Sequence, residues 1–536
     1  MLLENPVPGY VDDASGVVYD DRLEMNENNN NVTNRINGDG GIMRTAIQDF
    51  YTGQNVFITG GTGFLGKTLV EKLLRSCPDV STIYLLVRPK KAHNVVDRVD
   101  DLFNEPIFEH LKTNSPKFRH KVVAVAGDCE SPNLGLSESN RDLLIQEVSI
   151  VFHSAATVRF DEKLRVSTAI NVGGTLAVLN LCKEMKKLKA MIHVSTAYSN
   201  CHLDTIEESF YSHPMQYEDL KIVVNTLSDD AVDDVLPRIL QNWPNTYTYT
   251  KALAEQVVQQ RSKDLPVGIF RPGIIISCAE EPLPGWIDNY YGPTGGVAAA
   301  QLGILKSVHY KPDIEANVVP VDYTVNGLIA SAWDVATHSD RRNEKTLIYN
   351  YVSTVDAPLL WGDYYDYCLA GAREFPILQA KWYLTFSPKA SSLSHSLSVL
   401  FLHLVPAIIL DFFLICTGNK PRTYKMVTKI FKYLSVVQEF TMRNWSYKTN
   451  NVQQLWKRLD AKDKQNFKFN LENFDWRNYF RNYLMGVKIY LFKEDLTTLE
   501  ASRKRTQRLL WLHQGTKTFF GLIMMWMVWK LFTPLI

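Results

Sequence analysis

The chain has 536 residues, a formal net charge of +1 and 46% hydrophobic residues. That length exceeds one ordinary domain and suggests roughly two to four. The near-neutral balance, with no strongly basic domain, argues against a nucleic-acid binder, and seven scattered cysteines without a C-x-x-C pair fit reduced thiols and offer no metal site.

Residues 1–45 are polar, with Asn28–Asn31 and Gly38-Asp39-Gly40-Gly41, and predict a disordered segment. No basic n-region with an apolar core opens the chain, so no signal peptide is expected. The sequons at Asn31 and Asn444 are read as chance matches.

Residues 46–374 alternate strand-like and helix-like runs, as in an α/β domain. The first strand, Asn55–Ile58, runs into Thr59-Gly60-Gly61-Thr62-Gly63-Phe64-Leu65-Gly66, and helical periodicity follows from Lys67 to Leu74. A strand, a glycine-rich turn and a helix form the entry to a dinucleotide-binding βαβ unit. Gly60 allows the tight turn, Gly63 lets backbone approach a pyrophosphate, and Gly66 lets the helix pack closely. The helix N-terminus offers free N–H groups to phosphate. All eight residues, Thr59 to Gly66, are therefore candidate cofactor contacts. The fold expected is a Rossmann-type doubly wound parallel sheet.

Ile83–Val87 reads as the second strand, and Arg88 follows it. An acidic residue there would hold a ribose 2′-hydroxyl. An arginine, with Lys90 and Lys91 nearby, favours a 2′-phosphate and so NADPH over NADH. Further strands are Val122–Val125, Ile150–His153, Met191–Val194 and Val267–Phe270. Asp128 follows one of them and could meet the adenine. His153 is either a cofactor neighbour or a satisfied core histidine. Asn171 opens a helix carrying Gly173-Gly174 and is a further cofactor candidate. Arg271-Pro272-Gly273 ends a later strand, where loops again meet ligand.

Ser195-Thr196 follows Val194, at the carboxyl end of a strand. A hydroxyl there can assist a substrate carbonyl oxygen, or simply cap a turn. Thr196 is preferred, with Ser195 as the alternative. Tyr247 and Lys251 lie four apart on one helical face. A nearby ammonium stabilises phenolate and would draw the tyrosine pKa down from about 10, so that Tyr247 can donate a proton as hydride arrives. Lysine can also hold the nicotinamide ribose. Tyr-x-x-x-Lys is common by chance on helices and gains weight only because it follows a dinucleotide loop. Tyr249, two residues from Lys251, faces elsewhere.

From about 375 the texture becomes aromatic-rich and helical, which suggests a second domain over 375–505. Arg503, Lys504, Arg505 and Arg508 then precede an apolar run of about 19 residues from Thr518, near the lower limit for spanning. Residues 509–536 read as a membrane anchor, with Lys530 snorkelling and the preceding cations keeping the catalytic domain cytosolic; an interfacial helix and a buried core helix are the other readings.

Together, Thr59–Gly66, His153–Thr157, His193–Tyr198, Tyr247–Lys251 and Arg271-Pro272-Gly273 resemble the extended short-chain dehydrogenase/reductase superfamily. Asn245–Glu255, Gly292–Gly295, Asn317–Tyr323, His403–Ala407 with Asp411, Gly418–Pro421 and Phe474–Phe480 narrow the resemblance to the alcohol-forming fatty acyl-CoA reductases. It spans roughly residues 46–500, and the asparagine tract leans toward an insect source. The resemblance implies that a long-chain fatty acyl-CoA and two NADPH give a primary alcohol and free CoA through an aldehyde-level intermediate. Leu397–Ile415 then reads as ordinary core of the second domain or as membrane-contacting, with an acyl-tunnel wall as a further reading, because His403, Pro406 and Asp411 suit a spanning helix badly. The location implied is a membrane, single-pass, at the endoplasmic reticulum in preference to the peroxisome. Self-assembly is left open. Two other classes remain open to the sequence: another extended reductase of hydroxysteroid dehydrogenase or sugar-nucleotide epimerase type, and a non-catalytic NADP-binding scaffold.

Overall fold

The computed structural model describes residues 44–89, 94–338 and 346–532. Nearly all of the segment expected to be disordered, and Lys90 and Lys91, lie outside them. The described part begins where Thr45 caps the helix Ala46–Tyr51 in a reciprocal capping box with Gln48.

Seven parallel strands form the central sheet: β1 (Asn55–Thr59), β2 (Thr82–Val87), β3 (Val122–Ala126), β4 (Ile150–His153), β5 (Ala190–Val194), β6 (Val267–Pro272) and β7 (Leu347–Tyr351). Their order is β7-β6-β5-β4-β1-β2-β3. Helices cover both faces, so β1, β2, β4 and β5 are buried almost throughout, which is why they read as continuous apolar runs rather than alternating ones. The order in which strands add to the sheet reverses between β1 and β4, which run parallel, and the loops after those strands therefore part into a crevice at their carboxyl ends. The glycine-rich turn leads from β1 into helix α1 (Phe64–Ser76) at that crevice.

Thr45–Ile536 forms one compact unit. The segment expected as a second domain is woven into the first. Ser446–Tyr447 pairs with Thr205–Ile206, Asp463 accepts the Ile47 N–H at 3.3 Å, and Phe469, Tyr479 and Phe480 share a core with Val56, Ile58 and Phe270.

The apolar stretch expected around Leu397–Ile415 is a helix, Ser392–Cys416, and among the described residues it is the one helix long and apolar enough to cross a membrane. It is not ordinary core. Phe401, Phe412, Phe413 and Ile415 are each about three-fifths exposed. Its polar residues have local duties. His403 Nε2 accepts the Lys306 N–H at 3.0 Å. The Asp411 carboxylate accepts the N–H groups of Arg422, Thr423 and Tyr424 at 2.8–3.0 Å, and so caps the next helix, Thr423–Val437. The C-terminal run from Thr518 ends one long helix, Leu499–Phe532. That helix is tied to the body at Arg505, which donates to the Ala380 carbonyl, and at His513, which meets Trp382. Trp526 and Trp529 are exposed.

Candidate active site

One cavity of about 1550 Å³ runs from the glycine-rich turn, past the carboxyl ends of β4, β5 and β6, into the C-terminal part of the chain. At its first end Gly60 has φ +75°, and a Cβ there would sit 2.8 Å from the Ala155 nitrogen. A Cβ on Gly66 would lie 2.2 Å from the Gly60 carbonyl oxygen, so the first helical turn can close over the loop only as glycine. Gly63 occupies the N-cap position of α1 with no side chain over it, which leaves the helix N-terminal N–H groups facing the cavity. This concave backbone cradle fits the pyrophosphate of a dinucleotide.

Gly60, Thr62, Gly63, Phe64, Leu65 and Gly66 line the cavity, and so do Arg88 and Asp128. Thr59 and Gly61 do not. The Thr59 hydroxyl bonds His153 Nδ1 at 2.7 Å behind the loop, and Gly61 backs onto Leu85, whose Cδ2 would be 2.8 Å from an added Cβ. Asn171 also lies off the wall. Its carboxamide accepts the Thr157 N–H at 2.9 Å and donates to Thr250 Oγ1 at 3.0 Å, and it ties the loop after β4 to the helix carrying Tyr247. His153 is a satisfied core histidine, bonded on its other side to Thr175 at 3.0 Å. Burial, and to a lesser degree the Lys251 charge, pushes its pKa down to about 3.

Arg88 Nε pairs with Asp128 Oδ2 at 3.0 Å. Arg98 donates to the Arg88 carbonyl and lines the same end of the cavity. Sequence reading passed over Arg98. The signal was present: helix Val95–Phe103 starts just after the β2 loop, so its first turn lies against Arg88.

The middle of the cavity is built from the ends of β5 and β6 and from helix α2 (Thr246–Arg261). Asn245 caps α2 by accepting the Thr248 N–H at 2.9 Å. Tyr247 and Lys251 both reach the cavity. Thr196 hydrogen-bonds the Tyr247 phenol and also accepts the Tyr198 N–H at 3.3 Å. The phenol pKa was expected to be low, yet burial pushes it up to about 12, with the Thr196 bond opposing only in part. The Lys251 ammonium donates elsewhere, to the Val194 carbonyl at 2.8 Å. Burial draws the Lys251 pKa down to about 8, against the pull of Glu255.

Ser195 is turned away from Tyr247, although it too touches the cavity wall. Its hydroxyl donates to Glu255 at 2.5 Å, and Glu255 pairs with fully buried Arg271 at 2.6 Å. Arg271 also donates to the carbonyls of Glu207 and Ser209 at 2.9 Å. Of Arg271-Pro272-Gly273, only the proline and glycine line the cavity. Tyr249 is buried on the far side of α2, against Trp243 and His213.

Beyond Tyr247 the cavity becomes apolar. Phe160 lies 5.8 Å from the Tyr247 ring and 5.6 Å from Phe440, which meets Tyr198 at 4.8 Å. Val297, Leu305, Trp361, Leu384, Met426 and Ile430 continue the wall. None of these was singled out from sequence. They come from distant segments, and no spacing marks them. The helix Ser392–Cys416 contributes no wall residue. The following helix, Thr423–Val437, takes that place.

Comparison with known proteins agrees with this layout. A NAD-binding family model described as male sterility protein matches residues 58–328, and a second model of the same description matches 402–494. Fatty acyl-CoA reductase wat of Drosophila melanogaster is 40% identical over 485 residues, 90% of this chain and 93% of the relative. Fatty acyl-CoA reductase 1 of Mus musculus is 36% identical over 487 residues, 91% and 93% of the two chains. Among solved structures, the terminal R domain of the myxalamid biosynthetic pathway superposes with a TM-score of 0.54 at 19% identity, over 83% of this chain and 92% of that domain. That likeness concerns the fold. A nicotinamide-dinucleotide cradle, hydroxyls converging on one point and an adjoining apolar chamber are thus joined in a chain that belongs to the fatty acyl-CoA reductase family.

Proposed function

We propose that this protein reduces long-chain fatty acyl-CoA to the primary alcohol with NADPH. The observation that carries the reading is the continuity of one cavity, from the dinucleotide loop past Thr196 and Tyr247 into the apolar chamber. A sugar nucleotide or a steroid gives no reason for so long an apolar extension, and a non-catalytic scaffold gives none for Tyr247 and Thr196 converging.

The Gly60–Gly66 turn would hold the cofactor's pyrophosphate, Arg88 and Arg98 would meet its ribose 2′-phosphate, and the bound cofactor would supply hydride. Asp128 holds Arg88 in place at the cost of part of its charge. Tyr247 and Thr196 hydrogen-bond the thioester carbonyl oxygen and stabilise charge as it gathers there. A phenol with a pKa near 12 stays protonated at neutral pH, so Tyr247 can give its proton to that oxygen. Lys251 keeps a positive charge beneath the site and orients the ribose. Hydride addition to carbon and proton transfer to oxygen give a hemithioacetal, and its collapse frees CoA thiol and an aldehyde. The aldehyde stays in the apolar chamber, where a second hydride and proton give the alcohol. Residues 46–374 supply the chemistry, and 375–505 complete the chamber.

The exposed apolar helix Ser392–Cys416 makes contact with a membrane, with the end of Leu499–Phe532 as a second contact. The catalytic part faces the cytosol, at the endoplasmic reticulum in this reading. Product analysis with NADPH and acyl-CoAs of graded length tests the function. One alcohol formed for every two NADPH consumed sustains it, and absence of turnover with every acyl-CoA overturns it.

A further inference from the structure

We propose that Lys429 and Lys432 form the site that receives the phosphate groups of the substrate's coenzyme A. The inference rests on the acyl-CoA reading above and adds to it the residues that would distinguish a CoA ester from other thioesters.

Both lysines lie on the helix Thr423–Val437 and line the cavity. Three residues apart, they fall on neighbouring positions of one helical face. Met426, Ile430, Leu434 and Val437 of the same helix also line the cavity, so the cations sit at the edge of an otherwise apolar wall. Both are exposed. Among the described residues neither has a carboxylate at ion-pair distance. Elsewhere on the wall, Arg88 is paired with Asp128, and Arg159 lies 3.5 Å from Asp161.

The direction of the helix fits an acyl-CoA. It ends near the reacting centre, because Phe440 just beyond it packs on Phe160, which packs on Tyr247. Lys429 lies eleven residues before Phe440, about 16 Å along the axis at the helical rise. A CoA ester needs such a separation, since its pantetheine arm holds the nucleotide phosphates well away from the thioester sulfur. The glycine-rich turn, Arg88 and Arg98, which would hold the cofactor's phosphates, lie at the opposite end of the cavity, so the two anionic molecules would meet separate cationic groups. Lysine binds phosphate as a mobile point charge, which suits an exposed entrance.

The same cations stand beside the lipid-facing helix Ser392–Cys416, whose Asp411 caps their own helix. A phosphate monoester or diester could therefore come from CoA or from a lipid headgroup, and the experiment separates the two. The full-length protein in detergent is assayed with palmitoyl-CoA and with the palmitoyl thioester of N-acetylcysteamine, which carries no phosphate. The double variant Lys429→Gln/Lys432→Gln should raise KM for palmitoyl-CoA at least about tenfold, as expected for lost charge-assisted contacts. It should leave KM for the short thioester and for NADPH unchanged. Lys429→Arg/Lys432→Arg should restore the CoA value, and Lys425→Gln, on the same helix but off the wall, should behave as wild type. Unchanged KM for palmitoyl-CoA overturns the proposal. So does an equal rise for both thioesters, which would mark a structural role. Unchanged kinetics with loss of flotation on phosphatidylserine vesicles, but not on phosphatidylcholine vesicles, would assign the lysines to lipid and also overturn it. Wild-type protein that reduces neither thioester overturns the parent reading instead.

Discussion

Tyr247 and Lys251 share one turn of α2 but meet different partners, and the difference sets testable chemistry. Tyr247 touches Thr196 and the cavity, whereas Tyr249 is packed between Trp243 and His213. Tyr247→Phe should therefore lower kcat by roughly a hundred- to ten-thousandfold, the usual worth of a positioned proton donor, while NADPH binding by fluorescence titration stays near wild type. Tyr249→Phe should retain turnover, and the reverse pattern would move the donor to the wrong side of the helix. Lys251 titrates at about 8. Its ammonium is present below that value and lost above it, so kcat/KM should fall as pH rises through about 8 with a slope of one proton. Tyr247, at about 12, stays protonated over the same range. A flat profile from pH 7 to 9.5 would show that the lysine charge is not used. At Arg88, half exposed and ion-paired, removal of the guanidinium in Arg88→Ala should raise KM for NADPH by about tenfold, the lower end for a charged hydrogen bond because solvent screens it. KM for NADH should barely move, and equal losses would make Arg88 a residue of the fold.

At the scale of elements, the helix Ser392–Cys416 carries the strongest expectation. A helix of 25 residues with this much exposed apolar surface is costly in water. Ile409→Asp with Phe413→Asp places two charges on that exposed surface, at residues that do not line the cavity. The variant should leave the membrane fraction for the soluble fraction on flotation and keep its activity in detergent. Deletion from Leu509 onward should remove only part of the binding, because the internal helix remains. If the deletion alone frees the protein completely, the C-terminal helix is the anchor and the internal one covers something else.

For the whole molecule, the decisive feature is the core shared between the sheet and the C-terminal segment. Tyr351 on β7 donates to the Phe469 carbonyl at 2.8 Å, and the Trp476 indole donates to the Ala357 carbonyl at 3.1 Å. A chain ended at Glu374 would expose this surface and orphan these groups, each loss costing about 1–3 kcal/mol, against a total stability of only about 5–15 kcal/mol. It should fail to give a cooperative thermal transition by circular dichroism. A well-folded fragment 46–374 would show that the sheet stands alone.

The sequence by itself determined the local devices. Glycine spacing, a strand entering a helix and Tyr-x-x-x-Lys are short-range patterns whose physics acts within a few residues, so the Rossmann sheet and the positions of Tyr247, Lys251, Thr196, Gly60, Gly63, Gly66 and Arg88 on the cavity wall were all legible. Tertiary structure alone decided the rest, because it depends on what lies opposite. Thr59, Gly61 and Asn171 carry the right residue types at the right places, yet their atoms are spent on His153, Leu85, Thr157 and Thr250. The low phenol pKa expected from helical spacing gave way to a raised one, because burial outweighs the Thr196 bond and the Lys251 ammonium is held by the Val194 carbonyl instead. His403 and Asp411, read as obstacles to a membrane helix, proved to bond Lys306 and to cap the next helix. The apolar wall from Phe160 to Ile430 joins segments hundreds of residues apart, and its members share no pattern until the fold closes a cavity around them.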